Sequence, residues 1–311
     1  IQDIANRAQR LGFSTCTDHY QFNGEAILIL TPEATISQAF RAFLVSQGNG
    51  GNISAIFLDE AHVFVTDVTY RHSLQKLEYL RIIAVPLICL TATCPFGVQN
   101  KIIEKLYNQI TPTIIHESTD RFNLEYIVVR EKNEILLMEA IRLFIPAAIQ
   151  GEKMIIYFNS ILTLEGFVET RARGRIEFAK YYATMGDAEK RRNFEAWKDG
   201  ETNVMLATSA FGSGIDYPSV RQVIVFGLPY TIEEYSQMAG RGGRDGKITK
   251  CILMFNSQEE SRRIAWQKSN GKVELANVLE KLLAYAIDQI TCRRAYLSRY
   301  LDGMEVQCYY N

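Results

Sequence analysis

The sequence lacks an excess of charge of either sign. Its 34 lysine and arginine residues are balanced by 35 aspartate and glutamate residues, which gives the 311-residue chain a formal net charge of −1. Proteins that bind nucleic acid through their bulk charge are strongly basic. The charge balance excludes that class, so any nucleic acid must be held in a local groove.

Long apolar runs are also absent. No stretch approaches the roughly twenty apolar residues that a membrane-spanning helix needs. The sequence opens at Ile1 with a polar helical pattern rather than a basic and then apolar leader. We therefore expect no signal peptide and no membrane partner.

No clustered cysteine framework is visible. The six cysteines are scattered, and Cys89 lies inside an apolar strand pattern. This usage favours a reducing intracellular compartment over a disulfide-stabilised secreted protein. The missing initiator methionine at Ile1 and the abrupt end at Asn311 suggest a fragment.

What is present indicates a globular α/β protein. Apolar residues make up 47% and charged residues 22% of the chain, as in soluble globular proteins. With 311 residues the chain is longer than a domain with a single hydrophobic core usually is, which predicts more than one domain. Short runs rich in Ile, Val, Leu or Phe alternate with helical patterns, as in the βα units of a parallel sheet. The predicted strands are 26–30, 53–58, 86–90, 154–158, 204–207 and 223–226, and the predicted helices are 99–107, 134–144, 162–171 and 188–197.

The alternation breaks at 111–123, a polar stretch that contains Pro112 and is predicted to be an interdomain linker. A second series of strands begins near Tyr126. Strand patterns cease after Phe255, and 257–299 is predicted to be helical. The chain thus has two sheet-containing parts and a helical remainder.

An acidic tetrad, Asp59-Glu60-Ala61-His62, follows the predicted strand 53–58 directly. Open α/β sheets present ligand-binding groups at the carboxyl ends of their strands. In a nucleotide-driven motor the first carboxylate of such a pair holds Mg²⁺ through water, and the second orients and deprotonates the attacking water. The tetrad therefore predicts nucleotide hydrolysis.

Hydroxyl residues follow the next strand in the same way. Thr91-Ala92-Thr93 comes directly after 86–90, where its hydroxyls can reach the acidic pair and relay the state of the nucleotide. Taken alone, the triplet is more often a helix cap. Together with the upstream tetrad, the relay is the favoured interpretation.

Two glycine-rich segments follow later strands. In 207–216, glycines such as Gly214 let backbone N–H groups approach a phosphate, while Asp216 could bond a ribose or orient an arginine. In 237–246, Arg241 and Arg244 are three residues apart and can project from one helical face. Such arginines neutralise charge in phosphoryl transfer.

In order and spacing, these segments resemble the RecQ family of superfamily 2 helicases across almost the whole chain. After the tetrad, the sequence is similar to diverged fungal RecQ-like members. The resemblance rests on Asp59-Glu60-Ala61-His62 (a DEAH box), Thr91-Ala92-Thr93, Ile156-Tyr157-Phe158-Asn159-Ser160, 207–216, 237–246, Thr291-Cys292-Arg293-Arg294 and the early Thr31-Pro32-Glu33.

The resemblance implies an α/β fold of two RecA-like parallel-sheet domains, 1–117 and 118–256, followed by the helical start of a zinc-binding subdomain, 257–311. It implies ATP and Mg²⁺ as cofactors, with ATP between the two domains. Single-stranded or forked DNA would be the partner, moved 3′ to 5′ in DNA repair and recombination. The location would be the nucleus in a eukaryote and the cytoplasm otherwise.

The resemblance also assigns roles to individual residues. Asp59 would serve Mg²⁺, Glu60 the attacking water, and His62 the link to a DNA-sensing loop. Thr91 and Thr93 would couple the nucleotide to the rest of the domain. Gln237, Arg241 and Arg244 would face the triphosphate, Thr208 and Ser209 would touch the DNA backbone, and Tyr70 could stack on a base with Arg71 on a phosphate unless their segment is an ordinary surface loop.

The sequence departs from the family pattern at three places. No phosphate-binding loop ending in Gly-Lys-Ser/Thr precedes Asp59, so we expect that the chain begins after this loop and is inactive alone. Phe122 replaces the proline that is usual in the family's linker. Cys292 and Cys308 match two zinc ligands, but Asn311 stands where a third would be, so zinc is expected only in a longer chain.

Two other functions stay open. The missing phosphate-binding loop fits a catalytically inactive, nucleic-acid-binding remnant of a helicase. The acidic tetrad is shared with RNA helicases of superfamily 2. The segments Thr291-Cys292-Arg293-Arg294 and Gly243-Arg244-Asp245-Gly246 favour the RecQ family over the latter.

Overall fold

The computed structural model describes residues 1–66, 72–107, 110–131, 151–169, 177–212, 217–304 and 306. The chain divides into two compact units, unit 1 (Ile1–Ser118) and unit 2 (Thr119–Asn311). The sequence-based boundary between 117 and 118 lies one residue away. The predicted helical subdomain 257–311 is grouped with unit 2.

Unit 1 contains two pairs of parallel strands in its described residues, β1 with β2 and β3 with β4. Its elements are α1 (Gln2–Arg10), β1 (Thr15–Cys16), β2 (Ile27–Leu28), α2 (Pro32–Thr35), α3 (Gln38–Asn49), β3 (Ile56–Leu58), α4 (Val63–Thr66), a 3₁₀ helix (His72–Ile82), β4 (Leu87–Cys89), α5 (Phe96–Ile102) and a π-helical turn (Ile103–Tyr107).

The core of unit 1 forms between α3 and the strand pair β3–β4. Helix α3 begins after Ser37, whose hydroxyl accepts a hydrogen bond from the N–H of Phe40 and so satisfies one of the open donors of the first turn. Phe40 and Leu44 are one turn apart on the same face and are both buried. They share a cluster with Ala61 and Phe64, so the acidic tetrad is built directly onto this core.

In the described part of unit 2, six strands form one parallel sheet in the order β5-β10-β9-β6-β8-β7. Parallel sheets are covered by helices on both faces. The unit's elements are β5 (Leu124–Glu131), β6 (Lys153–Phe158), α6 (Ile161–Phe167), β7 (Phe178–Tyr181), α7 (Asp187–Asp199), β8 (Val204–Ala207), β9 (Val220–Phe226), α8 (Ile232–Ala239), β10 (Thr249–Asn256), α9 (Ser257–Ser269), α10 (Val273–Ile287) and α11 (Arg293–Asp302).

The central strand β6 shows how the two faces of this sheet are filled. All six of its residues are buried. Successive side chains of a strand point to opposite faces, and accordingly Ile155 and Tyr157 belong to one core cluster while Met154, Ile156 and Phe158 belong to the other. The larger of these clusters also contains residues of α10 and α11.

The predicted parallel α/β fold with C-terminal helices is confirmed. Strand β8 has the predicted bounds, whereas the edge strand β7 was not predicted because it is short and contains Lys180. The predicted helix 134–144 lies outside the described residues. In the part of the chain that the structure describes, no helix is both long and apolar enough to span a membrane.

Two glycines of segment 237–246, Gly243 and Gly246, provide a test of packing in unit 2. Gly243 has φ +53°, and a methyl group there would lie 2.6 Å from Thr249 Oγ1 and 2.7 Å from the carbonyl oxygen of Lys247. We expect Gly243→Ala to lower the free energy of unfolding by about 2–5 kcal/mol, from backbone strain and overpacking together. Gly246, with φ +80° and open space around it, is the matched control, and its alanine variant should lose only about 1 kcal/mol.

Urea unfolding followed by tryptophan fluorescence measures this difference. The chain has two tryptophans, Trp197 and Trp266, and both lie in unit 2, so the signal reports that unit. Equal losses of stability in the two variants would contradict the close packing around Gly243.

Candidate active site

The carboxyl ends of β3 and β4 lie side by side because the two strands are parallel neighbours. The ladder of hydrogen bonds continues past both ends: Leu90 donates its N–H to the carbonyl of Leu58 at 2.8 Å, and Ala61 donates to the carbonyl of Leu90 at 2.9 Å. The residues after β3 are therefore held against those after β4. We call Asp59, Glu60, His62, Thr91 and Thr93 the acidic cluster.

The two carboxylates of the acidic cluster are exposed to solvent. Glu60 has φ +50°, and no other non-glycine residue in the described ranges has a positive φ. A left-handed conformation costs such a residue about 1–2 kcal/mol. Hydrogen bonds hold the turn, since Asp59 Oδ1 accepts from the N–H of Glu60 at 3.0 Å and the Glu60 carbonyl accepts from Val63. Strain of this kind is concentrated at functional sites.

His62 connects the carboxylates to the hydroxyls. Its ring is buried, and Nδ1 lies 2.8 Å from Thr91 Oγ1 and 3.3 Å from Glu60 Oε2. The Thr91 hydroxyl donates its hydrogen to the Thr93 carbonyl at 3.0 Å. Because a hydroxyl has one hydrogen, Thr91 Oγ1 must accept from His62, which assigns the proton of the neutral imidazole to Nδ1.

In unit 2, the two arginines lie in a loop and not on a helix. Helix α8 starts at its cap Thr231 and ends at Ala239, before Arg241. The prediction that Arg241 and Arg244 share one helical face is wrong, because the glycines around them continue the chain in tight turns. We call residues 240–247 the arginine loop. Arg241 is half-buried, Arg244 is exposed, and Gln237 lies half-buried near the end of α8.

The arginine loop is anchored at the amino end of β9. The N–H of Gly243 donates to the carbonyl of Val220, the first residue of β9, at 2.9 Å. Arg221 forms a bidentate ion pair with Asp245, one bond of which is 3.1 Å. The hydrogen bond from the Arg221 guanidinium lowers the pKa of Asp245 to about 2, so this anchor stays charged at neutral pH.

The segment after β8 also lies beside the arginine loop. A Cβ built at Gly212 would lie 3.8 Å from an Nη atom of Arg241, an ordinary contact distance that makes the two residues neighbours. The Tyr157 hydroxyl donates to the Phe211 carbonyl at 2.7 Å. Burial raises the pKa of Tyr157, and the positive charges of Arg241 and Arg244 oppose that shift. The glycine-rich segments 207–216 and 237–246 are therefore in contact at Gly212 and Arg241.

Thr208 and Ser209 lie in the same segment, at the carboxyl end of β8. The N–H of Thr208 donates to the carbonyl of Tyr181 at the end of β7 at 3.2 Å, and Ser209 is exposed. Both residues are placed at the sheet edge where ligands of open α/β sheets bind. The remaining residues predicted to act in binding, namely Tyr70, Arg71, Gly214, Asp216 and Cys308, lie outside the described residues.

The described residues fit the predicted magnesium site, but they do not form a complete zinc site. Mg²⁺ in nucleotide sites is held by one or two carboxylates, waters and phosphates, and the exposed Asp59 fits that donor set. Zinc needs four protein ligands in a structural site. Cys292 caps the amino end of α11, but no group of three or more His, Cys, Asp or Glu residues suited to a metal occurs within the described ranges.

Sequence reasoning missed the residues that hold the arginine loop. Arg121 and Asn123 belong to the stretch predicted to be a linker, yet their side chains donate to carbonyls of the loop about 120 residues later in the chain. In the sequence, Arg121 and Asn123 are recognisable only as part of a polar run before a strand. It does not reveal which carbonyls the side chains will reach.

Comparison with known proteins identifies relatives. Residues 132–246 match the family described as "Helicase conserved C-terminal domain". The putative ATP-dependent DNA helicase Q1 of Caenorhabditis briggsae is 29% identical over 287 residues, which cover 89% of this chain and 45% of that protein. The ATP-dependent helicase SGS1 of Saccharomyces cerevisiae is 32% identical over 263 residues, which cover 81% of this chain and 18% of that protein. The chain therefore spans less than half the length of either relative.

A solved structure supports the fold. The Mycobacterium smegmatis helicase Lhr, bound to single-stranded DNA and AMP-PNP, has a TM-score of 0.59 and 18% identity to this chain, and the match covers 91% of this chain and 41% of that one. At this identity the similarity concerns the fold, which is that of RecA-like helicase domains. With about 30% identity over most of its length to helicases of the Q1 and SGS1 type, and with a helicase C-terminal domain in unit 2, the chain is a relative of the RecQ-family helicases.

Proposed function

We propose that this chain provides the ATP-hydrolysing and DNA-translocating parts of a 3′–5′ DNA helicase of RecQ type. The observation that carries the proposal is the acidic cluster, in which a hydrolytic carboxylate, Glu60, shares a histidine with a hydroxyl on the neighbouring strand. The helicase relatives support the reaction class. ATP and Mg²⁺ are the proposed cofactors.

In the proposed reaction, Asp59 would hold Mg²⁺ through water, and the ion would supply positive charge against the phosphates. Glu60 orients a water molecule and takes its proton while the oxygen attacks the γ-phosphorus and ADP leaves. The left-handed backbone at Glu60 fixes the direction of its side chain before substrate arrives. Its exposure gives it access to solvent water.

The cationic residues of unit 2 have a complementary role. We propose that Arg241 and Arg244, with Gln237 near the end of α8, stabilise the negative charge that develops on the transferred phosphoryl group. Arginines in this role accelerate phosphoryl transfer by about 10³- to 10⁵-fold. The two arginines are pre-arranged because Val220 and Arg221 of β9 anchor their loop.

Single-stranded or forked DNA is the proposed polymer substrate, and the location is the nucleus in a eukaryotic cell. We propose that Thr208 and Ser209 contact the DNA backbone. Tyr70 would stack on a base, and Arg71 would bind a phosphate. The alternative is a catalytically inactive, nucleic-acid-binding remnant of a helicase, which would bind nucleic acid without hydrolysing ATP. An RNA substrate would be revealed by competition between DNA and RNA strands.

The role of Glu60 is tested by Glu60→Gln. The hydrolysis measurements use a longer chain that includes a phosphate-binding loop. There we expect phosphate release stimulated by single-stranded DNA to fall about 10²- to 10⁴-fold, because the amide cannot accept the proton of water, while nucleotide binding persists. Glu78→Gln, an exposed residue of the same unit outside the acidic cluster, is the control. Wild-type DNA binding without DNA-stimulated release would instead support the inactive remnant.

The role of the arginines is tested by Arg241→Ala and Arg244→Ala. Each should lower kcat for DNA-stimulated hydrolysis by about 10³-fold, because the phosphoryl charge loses its cationic partner. Arg262→Ala, on the exposed face of α9 and paired with Glu259, should hydrolyse ATP normally. Unchanged kcat in both loop variants would exclude the arginines from the reaction.

The relay through His62 is tested by Thr91→Val and Thr91→Ser. ¹⁵N NMR should show a proton on His62 Nδ1 in the wild type and in Thr91→Ser. Thr91→Val removes the acceptor and should produce a mixture of tautomers together with weaker DNA stimulation of hydrolysis. His62→Gln assigns the resonance. An unaltered His62 spectrum in Thr91→Val would mean that the contact does not set the tautomer.

A further inference from the structure

Two motifs singled out in the sequence have no part in the roles proposed above. They are Asp120-Arg121-Phe122-Asn123, which precedes β5, and Thr291-Cys292-Arg293-Arg294, which leads into α11. Both lie in unit 2. The structure joins the two motifs to each other and joins the first of them to the arginine loop.

Arg121 binds the arginine loop at two points. One Nη atom donates to the carbonyl of Gly240 at 3.0 Å, and the other donates to the carbonyl of Gly243. Gly240 directly precedes Arg241, and Gly243 directly precedes Arg244. Because a peptide group is planar, fixing each carbonyl also fixes the N–H that begins the following arginine. The rigid fork of one guanidinium therefore sets the backbone of both arginines.

Asn123 reinforces the same loop. Its buried side-chain amide donates to the carbonyls of Gly243 and Lys247, each at 2.8 Å. Its own carbonyl accepts from the N–H of Thr249, the first residue of β10, at 2.9 Å. The Gly243 oxygen thus accepts from Arg121 and Asn123 as well as from the N–H of Gly246, so several donors converge on this one carbonyl.

Helix α11 holds the segment that carries Arg121. Arg294 forms a bidentate pair with Asp120, in which Nε lies 2.9 Å from Oδ1. At the other end of the helix, Asp302 accepts from the N–H of Thr119 at 2.9 Å. The side chains of the Arg294–Asp120 pair are 27% and 16% exposed, so solvent screens it less than a surface pair.

Helix α11 is itself fixed to its neighbours. Arg293 donates to the carbonyl of Tyr285 near the end of α10, and the Tyr300 hydroxyl donates to Glu233 in the first turn of α8 at 3.1 Å. Helix α8 is the element that leads into the arginine loop. The C-terminal helices therefore reach the loop by two routes, through α8 and through Asp120.

We propose that Arg121 is a positioning residue for Arg241 and Arg244, and that Arg294 of α11 keeps Arg121 in place through Asp120. The catalytic meaning of this relay rests on the proposed function. Its structural meaning does not: loss of any of the three side chains weakens or removes the two bonds from Arg121 to the carbonyls of Gly240 and Gly243, while Asn123 still holds Gly243 and Lys247. The C-terminal helices thereby control the geometry of the arginines without touching the nucleotide.

Native-state trypsin cleavage tests the positioning directly, because trypsin cuts after Arg241, Arg244 and Lys247 when the loop opens. Arg121→Met should raise the rate of cleavage in the loop at least tenfold, as identified by mass spectrometry. Arg121→Lys should restore part of the protection, since an ammonium can bond one of the two carbonyls. Arg262→Met is the control and should cleave in the loop at the wild-type rate.

Global destabilisation would also expose the loop, so urea unfolding by tryptophan fluorescence accompanies each cleavage measurement. Positioning requires that cleavage in the loop rises more than the loss of global stability accounts for. An increase fully explained by global unfolding, or no increase in Arg121→Met, overturns the proposal.

The relay from α11 is tested by Asp120→Asn, Arg294→Gln and the double variant. Each single variant should raise cleavage in the loop by a similar factor, and the double variant should add nothing further, because all three break the same pair. Unchanged cleavage in Arg294→Gln, or factors that multiply in the double variant, overturns the relay.

Rates of ATP hydrolysis in the variants distinguish an error in this inference from an error in the proposed function. Arg121→Met should lower kcat with little change in KM for ATP, and Arg121→Lys should regain part of it. If Arg241→Ala leaves hydrolysis unchanged, the proposed function fails while the cleavage results stand. If Arg241→Ala slows hydrolysis but Arg121→Met changes neither cleavage nor kcat, the positioning role fails and the function is intact.

Discussion

Parallel strand pairing is the constraint on which the rest of this structure depends. In a parallel sheet the carboxyl ends of neighbouring strands meet at one edge, although a helical crossover separates them in sequence. The pairing of β3 with β4 therefore brings His62 to Thr91 across 29 residues. In unit 2 the same constraint aligns the ends of β6 and β8 and leaves the amino ends of β9 and β10 to receive the arginine loop.

The acidic cluster and the arginine loop are stabilised in different ways. The cluster is built on a strained turn at Glu60 that stays exposed, with a buried histidine behind it. Arg121 and Asn123 donate to carbonyls of the loop, and Arg221 forms an ion pair with its Asp245. A strained and accessible carboxylate suits proton transfer, whereas rigidly held cations suit charge stabilisation without reorganisation.

The helices after β10 have a structural part in this arrangement. Residues of α10 and α11 share a core cluster with those of the central sheet strands, and Arg294 pairs with Asp120 at the start of unit 2. This part of the chain is integrated with unit 2 rather than appended to it. Cys292 occupies the amino-terminal cap position of α11, so a residue expected to be a zinc ligand lies at the start of the helix that carries Arg294.

The sequence by itself determined the fold class, most strand positions and the types of residue in the acidic cluster, because burial on both faces of a parallel sheet forces short apolar runs with polar ends. It also located Arg241 and Arg244. Only the tertiary structure decided that these arginines lie beyond the end of α8, in a loop in which Gly243 has φ +53° and packs closely against Thr249. The partners of Arg121 were equally hidden, because hydrogen bonds between residues about 120 positions apart leave no periodic pattern in a sequence.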